Sequence, residues 1–257
     1  MSTKNSDTAS AFSASLQRVR RDGAAVFPSV FSQDQIAWAR ELILENTAFM
    51  PNTRPSPTSR HMAGFHRFPT LEPLHLMITE NATVRRIMEH LCGAHARTIG
   101  LSDITVNRSQ QWHKDLLRGE FQRYLGEDIS CADWHGTVFK VIVYLQNGTS
   151  LKIIPGSHRL DIDLVSDESA IPVDESSVVP LPVSAGDAVV IDICTTHRGS
   201  AEAAFATLEA GKEPKILVST VFGRHGAILT DRMELGNAAR LNSWMSKHLG
   251  ASRPAFN

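Results

Sequence analysis

The stretch WHKD at residues 112–115 and the largely apolar run GDAVVIDICTTH at residues 186–197 carry the strongest structural signal in the chain. Side chains two residues apart in a β-strand point to the same face, so His113 and Asp115 can face one metal ion together. If His197 reaches that ion from a facing strand, two histidines and one carboxylate bind one side of it and leave the other positions open. This is the ligand set of a non-haem iron site.

A simpler explanation of His113 and Asp115 stays open at this point. A lone His-x-Asp pair occurs by chance in many chains, and its aspartate can simply cap a turn. A closed structural zinc site would more often recruit thiolates, and Cys92, Cys131 and Cys194 show no ligand-type spacing. The sequence therefore predicts either an open iron site or no metal site here.

The composition of the 257 residues excludes several classes of protein. Charged residues make up 21% of the chain and the formal net charge is -1, without the basic excess of a nucleic-acid-binding domain. The polar start lacks the apolar core of a signal peptide, and no segment approaches the roughly 20 apolar residues that span a bilayer. Three irregularly spaced cysteines make a disulfide framework unexpected. We expect a cytoplasmic enzyme with a small-molecule substrate and with neither nucleic acid nor membrane as partner.

Apolar periodicity predicts helices mostly in the first part of the chain and strands in the rest. The predicted helices run to about residue 21 and over residues 33–46, 81–92 and 238–249. The predicted strands cover residues 24–28, 98–107, 138–145, 150–154, 178–183, 188–193 and 215–222. The expected architecture is a mainly β core with flanking helices, in one domain over residues 1–257.

Two segments lack a sustained pattern. Residues 1–10 are rich in Ser and Thr, and we expect them to be disordered. Residues 51–73 contain five prolines and no periodicity, which predicts a long loop. Long loops in compact domains are often lids over a binding site, although an irregular surface connection explains the same composition.

Several short segments occur in an order that resembles a known enzyme family. These segments are residues 21–28, WHKD at 112–115, FKVIVYLQN at 139–147, residues 148–151, PGSHR at 155–159, Gly186-Asp187 and HRG at 197–199. Their order resembles the phytanoyl-CoA dioxygenase-like (PhyH) family of Fe(II)/2-oxoglutarate oxygenases. The resemblance implies a double-stranded β-helix, a relative of the jelly roll and the cupins, with Fe(II) held by His113, Asp115 and His197.

The same resemblance implies a 2-oxoglutarate-dependent, non-haem iron dioxygenase that consumes O2 and releases succinate and carbon dioxide. Related halogenases replace the ligand carboxylate by a small residue, so Asp115 favours hydroxylation of an unactivated C–H bond, or a desaturation or cyclisation variant. One alternative is a cupin-like metalloenzyme that performs isomerisation or hydrolysis. The other is a silent binding module, which the presence of all three ligands opposes.

The chain departs from the family pattern where a basic residue on the late strand, usually arginine, anchors the distal carboxylate of 2-oxoglutarate. Here the matching residue is Lys215, whose ammonium cannot offer the planar fork of arginine. A hydroxyl from Ser219 or Thr220 is expected to share the role. The rival anchor is Arg198, although as the neighbour of His197 it should point to the opposite face of the strand.

The residues around the HxD pair predict the charge of the substrate. Apart from the presumed ligand Asp115, the acidic residue in this segment is Glu120. The basic residues are more numerous: Arg108, Lys114, Arg118 and Arg123. Guanidinium groups bind carboxylates and phosphates in a bidentate manner, so we predict a small anionic metabolite, with Arg118 and Arg123 as substrate contacts. The alternative is an ordinary solvated segment.

Three further residues allow two readings each. Lys140 is either a surface residue of its strand or part of the cosubstrate pocket. His135 is either a satisfied rim histidine or a substrate contact. His158 follows Pro155-Gly156 and is expected to fasten that turn by hydrogen bonds, not to bind metal.

Overall fold

Two antiparallel sheets form the core of the protein in the computed structural model, which describes residues 3–161, 173–200 and 213–248. The strands are β1 (Ala24–Phe27), β2 (Arg60–Ala63), β3 (Ala96–Val106), β4 (Val138–Tyr144), β5 (Lys152–Ile153), β6 (Val179–Pro180), β7 (Ala188–Asp192), β8 (His197–Arg198) and β9 (Ile216–Arg224). The helices are α1 (Thr3–Asp22), α2 (Gln33–Glu45), α3 (Glu72–Thr79), α4 (Ala82–Cys92), α5 (Cys131–Trp134) and α6 (Ile228–His248).

The strand order places the chain among mainly β proteins. The large sheet has the order β1-β7-β4-β9-β3-β2 and the small sheet the order β6-β5-β8. Neighbouring strands pair antiparallel in both sheets. The predicted β core with flanking helices is therefore confirmed.

Strand β4 shows how the large sheet is buried on both faces. Its side chains alternate, as in any strand, so Val141 and Val143 join the apolar cluster under the helices. Ile142 and Tyr144 join a second cluster with residues of the small sheet. Lys140 lies on the same face as Ile142, which directs a lysine toward the space between the sheets.

Local sequence signals fix the helix ends. The backbone N–H of Gln35 donates to Ser32 Oγ, and Gln35 Oε1 accepts from the backbone N–H of Ser32. This is the capping box that the sequence predicts for α2. Asn81 caps α4 by accepting from two backbone N–H groups, and Gly93, with φ +87°, ends the helix.

The structure differs from the prediction in the two irregular segments. Helix α1 begins at Thr3, inside the range expected to be disordered. Residues 60–63 form β2, which pairs with β3 at the edge of the large sheet, so residues 51–73 are not a loop throughout. A four-residue strand carries too little alternation to be recognised, because pairing with a neighbour, not intrinsic preference, determines its conformation.

Helix α6 begins ten residues before the predicted start of the C-terminal helix. Its buried side includes Gly236 and Asn237, which interrupt the apolar stripe that periodicity detects. None of the helices in the described ranges is long and apolar enough to cross a membrane.

Candidate metal centre

The two segments that carry the predicted ligands lie side by side. The backbone N–H of His113 donates to His197 O and the N–H of His197 donates to His113 O, both at 2.9 Å. The N–H of Asp115 donates to Ile193 O at 2.9 Å. His197 thus approaches from a neighbouring antiparallel segment, and this pairing brings residues 82 positions apart in the chain into one cluster.

Backbone carbonyls fix the orientation of both imidazole rings. His113 Nδ1 lies 2.7 Å from Gln111 O, and His197 Nδ1 lies 2.9 Å from Thr195 O. A carbonyl accepts only from a protonated nitrogen, so in the neutral form of each ring the lone pair is on Nε2. Asp115 Oδ1 lies 3.5 Å from His113 Nε2, and Asp115 Oδ2 lies 3.4 Å from His197 Nε2.

The atoms at the centre of this cluster lack protein partners. One ligand atom from each of His113, Asp115 and His197 can be chosen so that all lie within 4.8 Å of one another. His113 Nε2 and Asp115 Oδ2 are buried and form no hydrogen bond with the described residues. Buried polar atoms are nearly always paired, so these atoms fit a metal ion bound between them.

Lys140 supports the carboxylate. Its Nζ lies 3.1 Å from Asp115 Oδ1, and both side chains are 11% exposed. Burial alone would raise the pKa of Asp115, but the positive charge of Lys140 beside it holds that pKa well below its usual range. Asp115 is therefore ionised at neutral pH, with Oδ1 bonded to Lys140 and Oδ2 directed at the cluster.

His197 is neutral under the same conditions. Burial, reinforced by repulsion from His113, lowers the pKa of His197 to about 3. A neutral imidazole is the form that binds a metal ion. The three side chains thus present two nitrogen lone pairs and one carboxylate oxygen, the donor set predicted from the sequence.

A cavity of about 190 Å³ opens beside the cluster and is lined by more basic than acidic residues. The lining cations are Arg108, Lys114, Arg118, Lys140 and Arg240, and the acids are Asp103 and Asp115. The ammonium of Lys114 is already used, since it donates to Ser157 O and Cys194 O. The basic character predicted from sequence is present, but Lys114 belongs to the framework.

Lys215 has an environment suited to an anion. The half-buried Nζ donates to Ser150 Oγ at 2.5 Å and to Ser200 Oγ at 2.7 Å and lies 5.6 Å from the centre of the Tyr144 ring. Burial lowers its pKa to about 8. Ser200 lies three residues beyond His197, roughly 10 Å along an extended chain, so Lys215 lies near the metal centre.

The other predicted cosubstrate residues occupy different positions. Ser219 is opposite Asp103 on β3 and Ile142 on β4, facing the space between the sheets. Arg198 faces away from the cluster, with its guanidinium 4.8 Å from the centre of the Trp112 ring and 4.0 Å from Glu175. This orientation is expected, because Arg198 follows His197 in the strand and adjacent side chains point to opposite faces.

Thr220, the other hydroxyl expected to help Lys215, has the opposite strand parity. It lies next to Ser219 in β9 and is opposite Val141, which packs under the helices. Of the two hydroxyls, only Ser219 faces the space between the sheets.

The predicted substrate residues are not all brought together. Arg118 lines the cavity and donates to Lys114 O at 2.6 Å. Arg123 is exposed, with its guanidinium 5.2 Å from the centre of the Tyr124 ring. His135 lines a separate pocket and contacts the ring of His158 at 5.4 Å between centroids.

His158 behaves as the sequence predicts. It is 1% exposed, and its Nε2 lies 3.3 Å from Arg20 O at the end of α1. It ties the turn after β5 to the first helix and is not among the residues that line the metal cavity.

Several cavity residues escape sequence analysis. Arg240 Nη2 lies 3.3 Å from Asp103 Oδ1, and His61 Nε2 lies 3.5 Å from the same oxygen. Asn237 lines the cavity from α6. A polar residue on the buried side of an amphipathic helix indicates such a site. Asn237 could be recognised in this way only if the helix were predicted to begin near residue 228.

Comparison with known families agrees with this geometry. A family model described as phytanoyl-CoA dioxygenase (PhyH) matches residues 19–203. The matched range includes His113, Asp115 and His197, whereas Lys215 lies beyond it. A comparison with curated proteins gave no match.

Solved structures share the fold. SnoN, an epimerase of nogalamycin biosynthesis solved with Fe3+, alpha ketoglutarate and nogalamycin RO, is 19% identical over 84% of each chain, with a TM-score of 0.61. SnoK, an alpha ketoglutarate dependent carbocyclase of nogalamycin biosynthesis, is 17% identical over 82% of this chain and 83% of its own, with a TM-score of 0.61.

A third similar structure is HygX from Streptomyces hygroscopicus with nickel, 2-oxoglutarate and hygromycin B bound. It is 14% identical over 83% of this chain and 87% of its own, with a TM-score of 0.57. At these identities the likeness shows a common fold, the double-stranded β-helix predicted from the sequence.

Proposed function

The chain belongs to the phytanoyl-CoA dioxygenase family, and from this premise we propose that it is an Fe(II)- and 2-oxoglutarate-dependent dioxygenase that hydroxylates a C–H bond of a small anionic metabolite. The observation that carries the proposal is the buried cluster of His113, Asp115 and His197, with unpartnered atoms directed at one point. Three ligands on one side leave positions open for a chelating cosubstrate and for O2.

His113 Nε2, His197 Nε2 and Asp115 Oδ2 would hold the iron. Iron and 2-oxoglutarate, when bound, supply the oxidising power, with O2 consumed and succinate and carbon dioxide released. Lys140 keeps Asp115 ionised and in place by binding Oδ1. His113 and His197 are buried and Asp115 is half-buried, so the protein shields the ligand side of the site from solvent.

Lys215 anchors the distal carboxylate of 2-oxoglutarate in this proposal. Its half-buried ammonium has two hydroxyl partners, Ser150 and Ser200, and forms no ion pair within the described ranges. Partial removal of a cation from water without an anionic partner is unfavourable, and a carboxylate would compensate the charge. The two serine hydroxyls can turn to donate to the same carboxylate, as a partial substitute for the second N–H of an arginine fork.

Asp115 bears on the outcome of the reaction. It occupies the place that a halogenase leaves free for halide, so the fragment returned to the substrate is expected to be hydroxyl. The basic lining of the cavity favours a substrate with a carboxylate or phosphate. SnoN and SnoK are described as an epimerase and a carbocyclase, so the analysis of products must include rearranged products that gain no oxygen.

The test measures succinate formation and O2 consumption by protein loaded with Fe(II) and 2-oxoglutarate, in air and under argon. We expect succinate only in air, in a one-to-one ratio to O2, and its loss in His197→Ala. A matched control is His90→Ala on the exposed side of α4, which should keep the wild-type rate. Conversion of a substrate under argon would instead establish a non-oxidative metalloenzyme.

A further inference from the structure

Helix α6 forms one side of the metal cavity. Met233, Asn237 and Arg240 are spaced four and three residues apart, so they lie on one face of the helix, and all three line the cavity. The helix packs closely there, because a Cβ added to Gly236 would lie 2.1 Å from Leu117 Cδ1. We call Met233, Asn237 and Arg240 the α6 wall.

The polar groups of the α6 wall are buried without sufficient partners. Asn237 is 1% exposed, and its Nδ2 donates to no described residue. Arg240 gives one nitrogen, Nη2, to Asp103, while its buried Nε has no acceptor in the described part of the chain. Buried N–H groups are almost always satisfied, so two unused donors on one face indicate a position for a ligand.

The charge beside this wall is positive. Arg108 lines the same cavity and forms no hydrogen bond or ion pair within the described ranges. Asp103 is shared by Arg240 and His61, and Asp115 is bonded to Lys140. Arg108 is therefore a cation whose charge is not compensated by a neighbouring carboxylate, in a cavity that reaches the metal ligands.

We infer that Arg108, Asn237 and Arg240 form the substrate-recognition subsite of the enzyme and bind an oxyanion, a carboxylate or phosphate, carried by the substrate. Arg108 supplies the charge, and Asn237 Nδ2 and Arg240 Nε donate hydrogen bonds to the oxyanion or to a polar group beside it. This assignment depends on the proposed function and replaces Arg123 as a substrate contact. It orients the substrate so that its anionic end lies toward α6 and the rest of the molecule faces the metal.

The first experiment uses acetate and inorganic phosphate as the probes. Each is titrated by calorimetry into protein loaded with nickel, a redox-inert metal, and 2-oxoglutarate. We expect binding by wild type and about tenfold weaker binding by Arg108→Gln, equivalent to about 1.4 kcal/mol. The control Arg85→Gln, an arginine 59% exposed on α4, should match wild type. The better-bound probe tells whether the group is a carboxylate or a phosphate.

Three results would overturn the inference. If wild type binds neither probe, the subsite does not exist. If wild type and Arg108→Gln bind a probe equally well, the anion binds to the metal and not to Arg108. If instead Arg108→Gln weakens the binding of 2-oxoglutarate as much as the binding of the probes, Arg108, Asn237 and Arg240 bind the cosubstrate and not the substrate. The proposed function fails separately, by absence of the 2-oxoglutarate charge-transfer band in wild type with Fe(II), a result that leaves the calorimetry readable.

A second variant separates recognition from a structural role. Asn237→Leu removes an unpaired buried amide at nearly constant volume, so we expect an unchanged or higher melting temperature together with at least threefold weaker probe binding. A lower melting temperature with unchanged binding would mean that Asn237 only supports the fold. Arg240→Lys keeps the positive charge beside Asp103 but removes the Nε donor. This variant should bind the probes more weakly without unfolding the protein.

Discussion

The metal-ligand cluster and the α6 wall lie in the same cavity but are built in opposite ways. Every ligand has a neighbour that fixes it: Gln111 O holds His113, Thr195 O holds His197, and Lys140 holds Asp115. In the α6 wall, Asn237 Nδ2 and Arg240 Nε are left without acceptors among the described residues. The side chains that would bind the metal ion are thus oriented in advance, whereas the donors assigned to the substrate lack acceptors until the substrate binds.

The strongest test of this difference removes a ligand. His197→Ala is expected to lower Fe(II) affinity by more than about 100-fold, because loss of even an outer partner of a ligand costs about 10–100-fold. Anaerobic iron titration measures it, with His90→Ala as the matched control. Equal iron affinity in both variants would place the metal elsewhere.

The next test asks whether Lys140 compensates Asp115 mainly when metal is absent. Lys140→Met leaves a buried carboxylate without its cation, and we expect a loss of about 3–5 kcal/mol in the free energy of unfolding of the metal-free protein. The loss should be smaller with metal bound, since the ion then balances the charge. Urea unfolding with and without nickel measures both, with the exposed Lys247→Met as control. Equal losses in the two forms would show that Lys140 acts only through packing.

A substitution of Lys215 tests its proposed role as the anchor of 2-oxoglutarate. Loss of a hydrogen bond to a charged group costs about 1.5–3 kcal/mol. Lys215→Met should therefore lower the affinity for 2-oxoglutarate roughly 10- to 100-fold. Lys247→Met should have no effect. If Lys215→Met binds 2-oxoglutarate as wild type does, the anchor is another residue.

The pH dependence of cosubstrate binding gives an independent check on Lys215. Its pKa is about 8, and only the protonated amine attracts a carboxylate. Affinity for 2-oxoglutarate should therefore be full well below pH 8, begin to fall near pH 8, and approach a tenfold loss for each further unit. Lys215→Arg stays charged, so its affinity should not fall over this range. A parallel decline in both proteins would assign the titration to another group.

The smallest effect is expected at the packing of α6. Gly236→Ala places a methyl group against Leu117, and overpacking of this kind costs about 1–3 kcal/mol. Adding Leu117→Ala should relieve the clash, so the double variant should be more stable than the sum of the single effects predicts. Strict additivity in thermal unfolding would show that Leu117 and Gly236 do not interact as the structure indicates.

The same contrast explains what could be predicted from the sequence. The ligands are encoded locally, since the i, i+2 spacing of His113 and Asp115 and the apolar run before His197 are visible in the chain. The sheet strands are visible too, because Val and Ile repeat at strand spacing. The predictions of one domain over residues 1–257 and of a cytoplasmic location stay predictions.

What could not be predicted depends on residues far apart in the chain. Ser150 meets Lys215 across 65 positions and Arg240 meets Asp103 across 137, and no local pattern records such pairs. The α6 wall was missed because Gly236 and Asn237 weaken the amphipathic pattern of their own helix. Sites for substrate are hidden in this way, since they break the regularities on which sequence analysis relies.

The most direct test of the central claim is an anaerobic titration of metal-free protein with Fe(II) and then 2-oxoglutarate, following the weak visible charge-transfer band of the chelate. We expect the band to appear in wild type and to be absent from His113→Ala and His197→Ala. Iron binding without the band in wild type would contradict this expectation and would favour a metalloenzyme that does not use 2-oxoglutarate.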